Sequence, residues 1–303
     1  MRRVFGLGEA LLDIIFKDNT PISAKPGGSV LNALVSLSRV NFRTYLISEL
    51  GADAVGNIIA TFLYENRINT NYIYRHRDGS TTLALAFLDD RNDAKYQFYK
   101  NNGEGHFLIE KPKFREEDIF LFGSTLAINP IFRAKVKEFI GIAHRRGATI
   151  IYDPNCRKDH TEDTETLQYI EENFSKSSII RCSDEDLQYI YGSIGLEESI
   201  LKVKHFCKNV VVTQNSKNVI FDFENIRREY PVAQIDPIST IGAGDNFNAG
   251  IIYALTKIAS TKTNLSHISA LQLDIIAKSG IDFSTEVCLS INNYISERLD
   301  PQN

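Results

Sequence analysis

The stretch Ile238-Ser239-Thr240-Ile241-Gly242-Ala243-Gly244-Asp245-Asn246-Phe247-Asn248-Ala249-Gly250 sets the reading of the chain. Gly242, Ala243 and Gly244 leave the backbone bare, and a carboxylate follows at Asp245. The apolar spacing Phe247, Ile251, Ile252, Leu255 then marks a helix that starts there. A helix start presents unpaired N–H groups and the positive end of the dipole, which suits an anion. A carboxylate at the same place can take a proton from a hydroxyl while the N–H groups hold a transferring phosphoryl group. The segment points to phosphoryl transfer, with Asp245 as the base. It is not a Walker A loop, because no Gly-Lys-Ser/Thr follows. Taken alone, an Asp here also suits a plain helix cap.

Outward from this segment, short apolar runs alternate with helical patterns. Val4–Leu7, Thr44–Ser48, Ile119–Phe122, Thr149–Tyr152, Ile179–Cys182 and Val210–Thr213 read as buried strands. Apolar spacing of three and four marks helices near 29–40, 54–66, 131–145, 164–173, 197–207 and 244–258. That alternation predicts an α/β fold with a mostly parallel sheet covered by helices on both faces. Residues 71–100 break the pattern: Tyr72–Tyr74, Leu83–Leu88 and Tyr96–Tyr99 are strand-like with no helix between them, and Arg-Asn-Asp at 91–93 marks a turn. With residues 11–20 this stretch is expected to form a small antiparallel sheet beside the main body.

The 303 residues fit one large domain with a full core, and no linker separates two units. A net charge of −4 with scattered basic residues gives no field for nucleic acid. Neither a signal-peptide pattern nor a membrane-length apolar span is present, so the expected location is cytoplasmic. Cys156, Cys182, Cys207 and Cys288 lack the close spacing of a zinc site or a disulfide framework.

Three further clusters carry polar chemistry. Gly6-Leu7-Gly8 invites a dinucleotide reading, but Leu11 stands where a third glycine is needed. Glu9 and Asp13 follow at the expected strand end, where a carboxylate can accept hydrogen bonds from hydroxyls. Pro26-Gly27-Gly28-Ser29 lets backbone approach a ligand, and Asn32, one helical turn on, points toward the same space. Asp153-Pro154-Asn155-Cys156-Arg157 supplies acceptor, mixed and donor groups after another strand, although an Asx-Pro turn accounts for its first three residues.

These residues resemble the ribokinase-like carbohydrate kinases of the phosphofructokinase-B type, and among them the fructokinases. One signature is Pro26-Gly27-Gly28-Ser29-Val30-Leu31-Asn32-Ala33 running on to Glu49-Leu50-Gly51-Ala52-Asp53-Ala54-Val55-Gly56; the other is Thr240 to Gly250. The resemblance spans essentially the whole chain and implies a ribokinase-like three-layer sandwich with a small β-sheet lid, formed by about 11–20 and 71–100. It implies transfer of the γ-phosphoryl group of ATP, with Mg²⁺, to a sugar hydroxyl, fructose first. Asp245 is then the catalytic base, and Gly242, Ala243 and Gly244 the anion hole. Asp13, Gly27, Gly28 and Asn32 map onto sugar-binding positions, and Arg157 onto one that reaches the substrate. Lids of this type often pair two chains into a dimer. A keto-deoxy sugar acid, another sugar or a nucleoside is the alternative acceptor, and a degenerate kinase that only binds ligand is the alternative class.

The chain departs from that pattern in three places. The usual Asn-x-x-Glu appears as Ser183-Asp184-Glu185-Asp186, leaving Asp186 to act on Mg²⁺ through water. The usual Asp-Thr-Thr-Gly appears as Ser239-Thr240-Ile241-Gly242, which removes ligands of a monovalent-cation site, so no K⁺ requirement is expected. The usual Thr-x-Gly nucleotide loop appears as Thr213-Gln214-Asn215, where Asn tolerates a left-handed turn.

Overall fold

A computed structural model describes residues 2–89, 94–101, 108–156, 164–259 and 262–297. The first half contains β1 (Arg3–Leu7), β2 (Leu11–Lys17), β3 (Thr20–Gly27), α1 (Ser29–Arg39), β4 (Arg43–Gly51), α2 (Ala54–Glu65), β5 (Asn69–His76), β6 (Ser80–Leu88), β7 (Ala94–Asn101), β8 (Ile119–Gly123) and α3 (Arg133–Arg145). The second contains β9 (Thr149–Asp153), α4 (Thr164–Lys176), β10 (Ile179–Ser183), α5 (Asp184–Tyr191), α6 (Leu196–Phe206), β11 (Val210–Thr213), β12 (Asn218–Phe223), β13 (Ile226–Pro231), α7 (Ala243–Ile258) and α8 (Ala270–Cys288). The six strands and six helices expected from periodicity are all present.

Among the described residues a nine-stranded sheet runs in the order β13-β12-β11-β10-β9-β8-β1-β4-β5. Seven of these strands are parallel, and the β12–β13 hairpin closes one edge antiparallel. Side chains alternate between two cores, as the two-residue strand period requires. Val4, Leu121, Ile151, Ile179 and Val211 pack with Leu34 of α1, Phe247 of α7 and Ile276 of α8. Phe120, Phe122, Ile150, Tyr152, Ile180 and Val212 pack on the other side with Phe139 of α3, Phe174 of α4 and Ile200 of α6. Each fully buried aromatic such as Phe122 contributes about 1.5–3 kcal/mol through burial. This is the ribokinase-like α/β architecture.

The alternation also positions polar residues. Asp153, Arg181 and Thr213 lie two residues beyond Ile151, Ile179 and Val211, so all three fall on the α7 side of adjacent strands. They do so at the carboxyl ends of those strands, where open α/β sheets bind ligands.

The second sheet has the order β3-β2-β6-β7. It differs from expectation in two respects. Its centre, β2 against β6, is parallel while both flanking pairs are antiparallel, so the sheet is mixed. Tyr72–Tyr74 do not belong to it; they lie in β5, the outer strand of the large sheet, paired parallel with β4. Ile73 packs on one core and Tyr72 and Tyr74 on the other. The sequence grouped β5 with β6 because no helix separates them. The turn expected at 91–93 lies outside the described residues.

Asp53 ties the two sheets together. Its Oδ2 accepts the Thr81 N–H at 2.7 Å. Its Oδ1 accepts the Thr81 hydroxyl and the Gly56 N–H, each at 2.7 Å. One carboxylate therefore caps α2 and anchors the root of β6. Burial alone would push its carboxyl up, but the hydrogen bonds from Thr81 and Gly56 outweigh that and hold it below the usual value.

Candidate active site

A cavity of about 510 Å³ opens between the two sheets, with Asp13, Gly28, Asn32, Asn155, Gly242 and Asp245 on its wall. A second, of about 480 Å³, adjoins it and includes Thr213, Asn215, Val219, Gln234, Phe247 and Cys288. The two share Gly244, Thr240, Asn215, Glu185 and Arg181.

The junction is built on the start of α7. Gly242 sits at φ 83°, ψ 0°, a left-handed conformation. A Cβ there would also lie 2.6 Å from the Asn293 carbonyl oxygen, so only glycine fits. Asn246 braces the turn: its amide Nδ2 donates to the Gly242 carbonyl at 2.7 Å and to the Asn293 carbonyl at 2.8 Å. The Ser36 hydroxyl donates to its Oδ1. No side chain caps α7, so its positive end is left for the cavity, as the sequence suggested.

Asn32 Nδ2 donates to Asp245 Oδ2 at 2.9 Å. Periodicity placed Asn32 in the same space as the ligand; the structure joins it to the carboxylate as well. Its Oδ1 is buried with no partner. Asp13 lies not at a strand end but within β2, where it is 5% exposed and 3.5 Å from Asn293 Nδ2. A Cβ on Gly27 would fall 2.0 Å from Asp13 Oδ2, which explains glycine beside the acid side chain.

The Asp153 cluster is arranged differently from expectation. Asp153 does not face a ligand: its Oδ2 accepts from Arg181 Nη1 at 2.9 Å and from Asn248 Nδ2 at 2.6 Å. Asn155 lines the first cavity at φ 41°. Arg157 lies outside the described residues.

Ser183 and Asp186 form a capping box at the start of α5. Asp186 Oδ2 accepts the Ser183 N–H at 2.7 Å and the Ser183 hydroxyl at 2.8 Å, and Oδ1 accepts the Cys156 N–H at 2.6 Å. Burial, with the neighbouring Asp153 charge, raises its carboxyl to about 6 despite the Ser183 and Arg181 contacts. Asp186 and Glu185 line a third cavity of about 240 Å³ with Arg181 and Asn155. Glu185 is exposed and borders all three cavities. Thr213 Oγ1 accepts from Arg181 Nη2 at 2.8 Å. Asn215 adopts the left-handed turn, at φ 50°.

Arg181 borders all three cavities and has only a weak sequence signal. Its signal was a lone cation in an otherwise apolar strand, Ile179-Ile180-Arg181-Cys182.

Residues 1–270 match the pfkB family of carbohydrate kinases. The chain belongs to that family. It is 24% identical over 276 residues to a fructokinase of Vibrio alginolyticus, covering 90% of each chain. It is 26% identical over 264 residues to a probable fructokinase-4 of Arabidopsis thaliana, covering 82% of this chain and 81% of that one. Among solved structures it superposes on a Vibrio cholerae fructokinase bound to fructose, ADP and calcium with a TM-score of 0.84 at 22% identity, covering 97% and 94% of the two chains. An aminoimidazole riboside kinase from Salmonella enterica gives 0.82 at 17% identity, covering 96% and 95%.

In this pfkB-family chain the small sheet is also tied down across the first cavity. Lys100 on β7 donates to Glu9 Oε1 at 2.7 Å and to Thr125 Oγ1 at 3.2 Å. Behind Glu9 lies Glu49, raised to about 7 by burial and by the Glu9 and Asp78 charges. The folded state holds this proton above the ordinary 4.5, so stability declines as pH rises from there to about 7. Glu49→Gln is expected to match the parent below pH ~5 and exceed it above pH ~7, by on the order of 1 kcal/mol after solvent screening. Urea unfolding across that range checks it; an equal difference at all pH values contradicts it. Among the described residues no helix is long and apolar enough to cross a membrane, and no group of three or more His, Cys, Asp or Glu is arranged to hold a metal alone.

Proposed function

We propose that this carbohydrate kinase transfers the γ-phosphoryl group of ATP to a hydroxyl of a sugar, with fructose the first candidate. The observation that carries this is the 2.9 Å bond between Asn32 and Asp245 on the wall of a cavity that also holds Asp13. Acceptor-binding groups and a base thus share one wall, at the uncapped start of a helix. Fructokinase relatives across nearly the full chain favour the same acceptor.

In this reading the sugar lies against Asp13, Gly27, Gly28 and Asn32 under the small sheet, which acts as a lid that excludes water. Asp245 accepts the proton of the attacking hydroxyl, and Asn32 fixes the orientation of its carboxylate. The N–H groups of Gly242 and Gly244 hold the phosphoryl oxygens; the Ala243 N–H, expected to join them, donates instead to the Thr240 carbonyl at 3.2 Å. ATP takes the second cavity, with Thr213 and Asn215 near its phosphates and apolar residues such as Val219 and Phe247 available to the base. Mg²⁺ fits a site with few protein ligands, because it keeps waters and shares substrate phosphates. Exposed Glu185, and Asp186 through water, would hold it, and it would neutralise phosphate charge. Lid-to-lid pairing of two chains belongs to the same reading.

A monovalent cation does not fit as readily. The Ser239 hydroxyl accepts the Ile241 N–H at 3.2 Å, and the Ile241 side chain offers no oxygen. Turnover is expected to be equal in K⁺ and in a large organic cation; strong activation by K⁺ would sink this expectation.

The deciding experiment measures ADP formation by the purified protein with Mg-ATP and a panel of fructose, 2-keto-3-deoxygluconate, ribose and nucleosides. Turnover on fructose above the others supports the reading. Ligand binding without turnover on any of them identifies a degenerate kinase instead.

A further inference from the structure

Arg181 sits where all three cavities meet. It is 8% exposed, and its Nε is buried without a partner. Two rigid acceptors on the flanking strands, Asp153 Oδ2 at 2.9 Å and Thr213 Oγ1 at 2.8 Å, hold its guanidinium in place. That guanidinium lies directly under the first turn of α7: a Cβ built on Gly244 would be 2.8 Å from Nη1 and 2.9 Å from Nη2. It also packs 5.8 Å from the centre of the Phe247 ring, one turn further along the same helix. Burial works against its charge, but the Asp153 and Asp186 carboxylates outweigh that, so it stays protonated.

Strand cross-linking accounts for the bonds to Asp153 and Thr213, but not for the rest of this placement. A guanidinium carries five N–H donors and is suited to fork-like contact with phosphate oxygens. This one holds its fixed charge at the boundary between the acceptor cavity and the nucleotide cavity, beside the Gly242–Gly244 turn and one residue from Asp245. Anything that crosses from one cavity to the other passes it.

We propose that Arg181 is a catalytic residue that contacts the γ-phosphoryl oxygens from beneath the Gly242–Gly244 turn and stabilises the charge on that group as it transfers. The inference rests on the kinase reading above. In the step, the bond from the γ-phosphorus to the bridging oxygen of ADP breaks as the bond to the sugar oxygen forms. The hydroxyl proton passes to Asp245, the electron pair leaves with ADP, and Arg181 donates hydrogen bonds without exchanging a proton. A fixed donor already in place costs no reorganisation at that moment.

The test compares two variants with the parent protein. Arg181→Met combined with Asp153→Asn removes the cation without leaving a buried carboxylate unpaired. Arg181→Lys keeps the charge and loses the fork. Each is measured for kcat, for the KM of the sugar, and for the affinity of Mg-ADP against the Mg complex of the β,γ-imido analogue of ATP.

The double variant is expected to lose roughly 10²–10³ in kcat, the range for one preorganised donor. Sugar KM and ADP affinity should stay within about threefold while the imido analogue binds about tenfold or more weakly, a loss confined to the γ-phosphoryl group. Arg181→Lys should recover part of the lost kcat. Equal losses for both nucleotides, or kcat within about tenfold of the parent in the folded double variant, would overturn the proposal. Should the double variant fail to fold, Arg181→Lys decides: unchanged kcat and an unchanged analogue-to-ADP ratio overturn it. A parent protein inert on every acceptor would defeat the kinase reading, and the nucleotide comparison would still judge Arg181.

Discussion

Asp245→Asn is expected to lower kcat by roughly 10²–10⁴, the span associated with loss of a positioned general base. The substitution is close to isosteric, and an Asn at 245 can still accept the Asn32 amide through its own Oδ1. The start of α7 is held by Asn246 and Gly242 rather than by Asp245, so the turn survives. What disappears is the capacity to take a proton. The KM for the acceptor should therefore move little while kcat falls, and thermal unfolding should remain near that of the parent. Steady-state kinetics with Mg-ATP and the best acceptor measure this directly. A near-normal kcat would refute the assignment of Asp245.

Gly28→Ala is the second large expected effect, and it acts through the backbone. Gly28 sits at φ 126°, a region closed to L side chains, and its Cβ would lie 2.1 Å from the Glu9 carbonyl oxygen. The obstacle is main chain in the connection between β1 and β2, so no rotamer change relieves it. The strained backbone and the overlap together should cost about 3 kcal/mol or more. In a chain of this size that lowers Tm by roughly 5–10 °C. Because Gly28 leads directly into α1 and hence to Asn32, surviving folded protein should also bind the acceptor less tightly. Calorimetry at matched pH tests the stability loss; a Tm within a degree of the parent contradicts it.

Much of this architecture could be read from the sequence because parallel strands buried on both faces are continuous apolar runs. Val210-Val211-Val212-Thr213 is one, and it became β11 without adjustment. The start of α7 was legible for a related reason, since bare backbone before an apolar helical period has few uses. The assignment of β5 failed because strand periodicity is the same in either sheet; what separates them is pairing to β4, a long-range property. Helix α8 was passed over although Leu273, Ile276, Ala277, Gly280, Phe283 and Val287 carry the period of a buried face. Asp153 and Arg181 show the remaining limit. Each reads locally as a ligand-facing or stray charge, and only strand adjacency makes them partners. Asn32 could be placed near the site by helical spacing, but its bond to Asp245 spans 213 positions of sequence and could not be read from local pattern.

That bond also constrains how this enzyme could be re-purposed. On the proposed reading one residue serves both ends of the reaction: the Asn32 nitrogen steadies Asp245, and the same side chain borders the acceptor cavity. On that reading acceptor preference and turnover are not independent variables at this position. A lineage, or a designer, seeking a new acceptor would lose rate with almost any replacement of Asn32. Change is freer at the rim, at Tyr96 and Phe98 on β7, where pocket shape can drift while the chemistry stays intact.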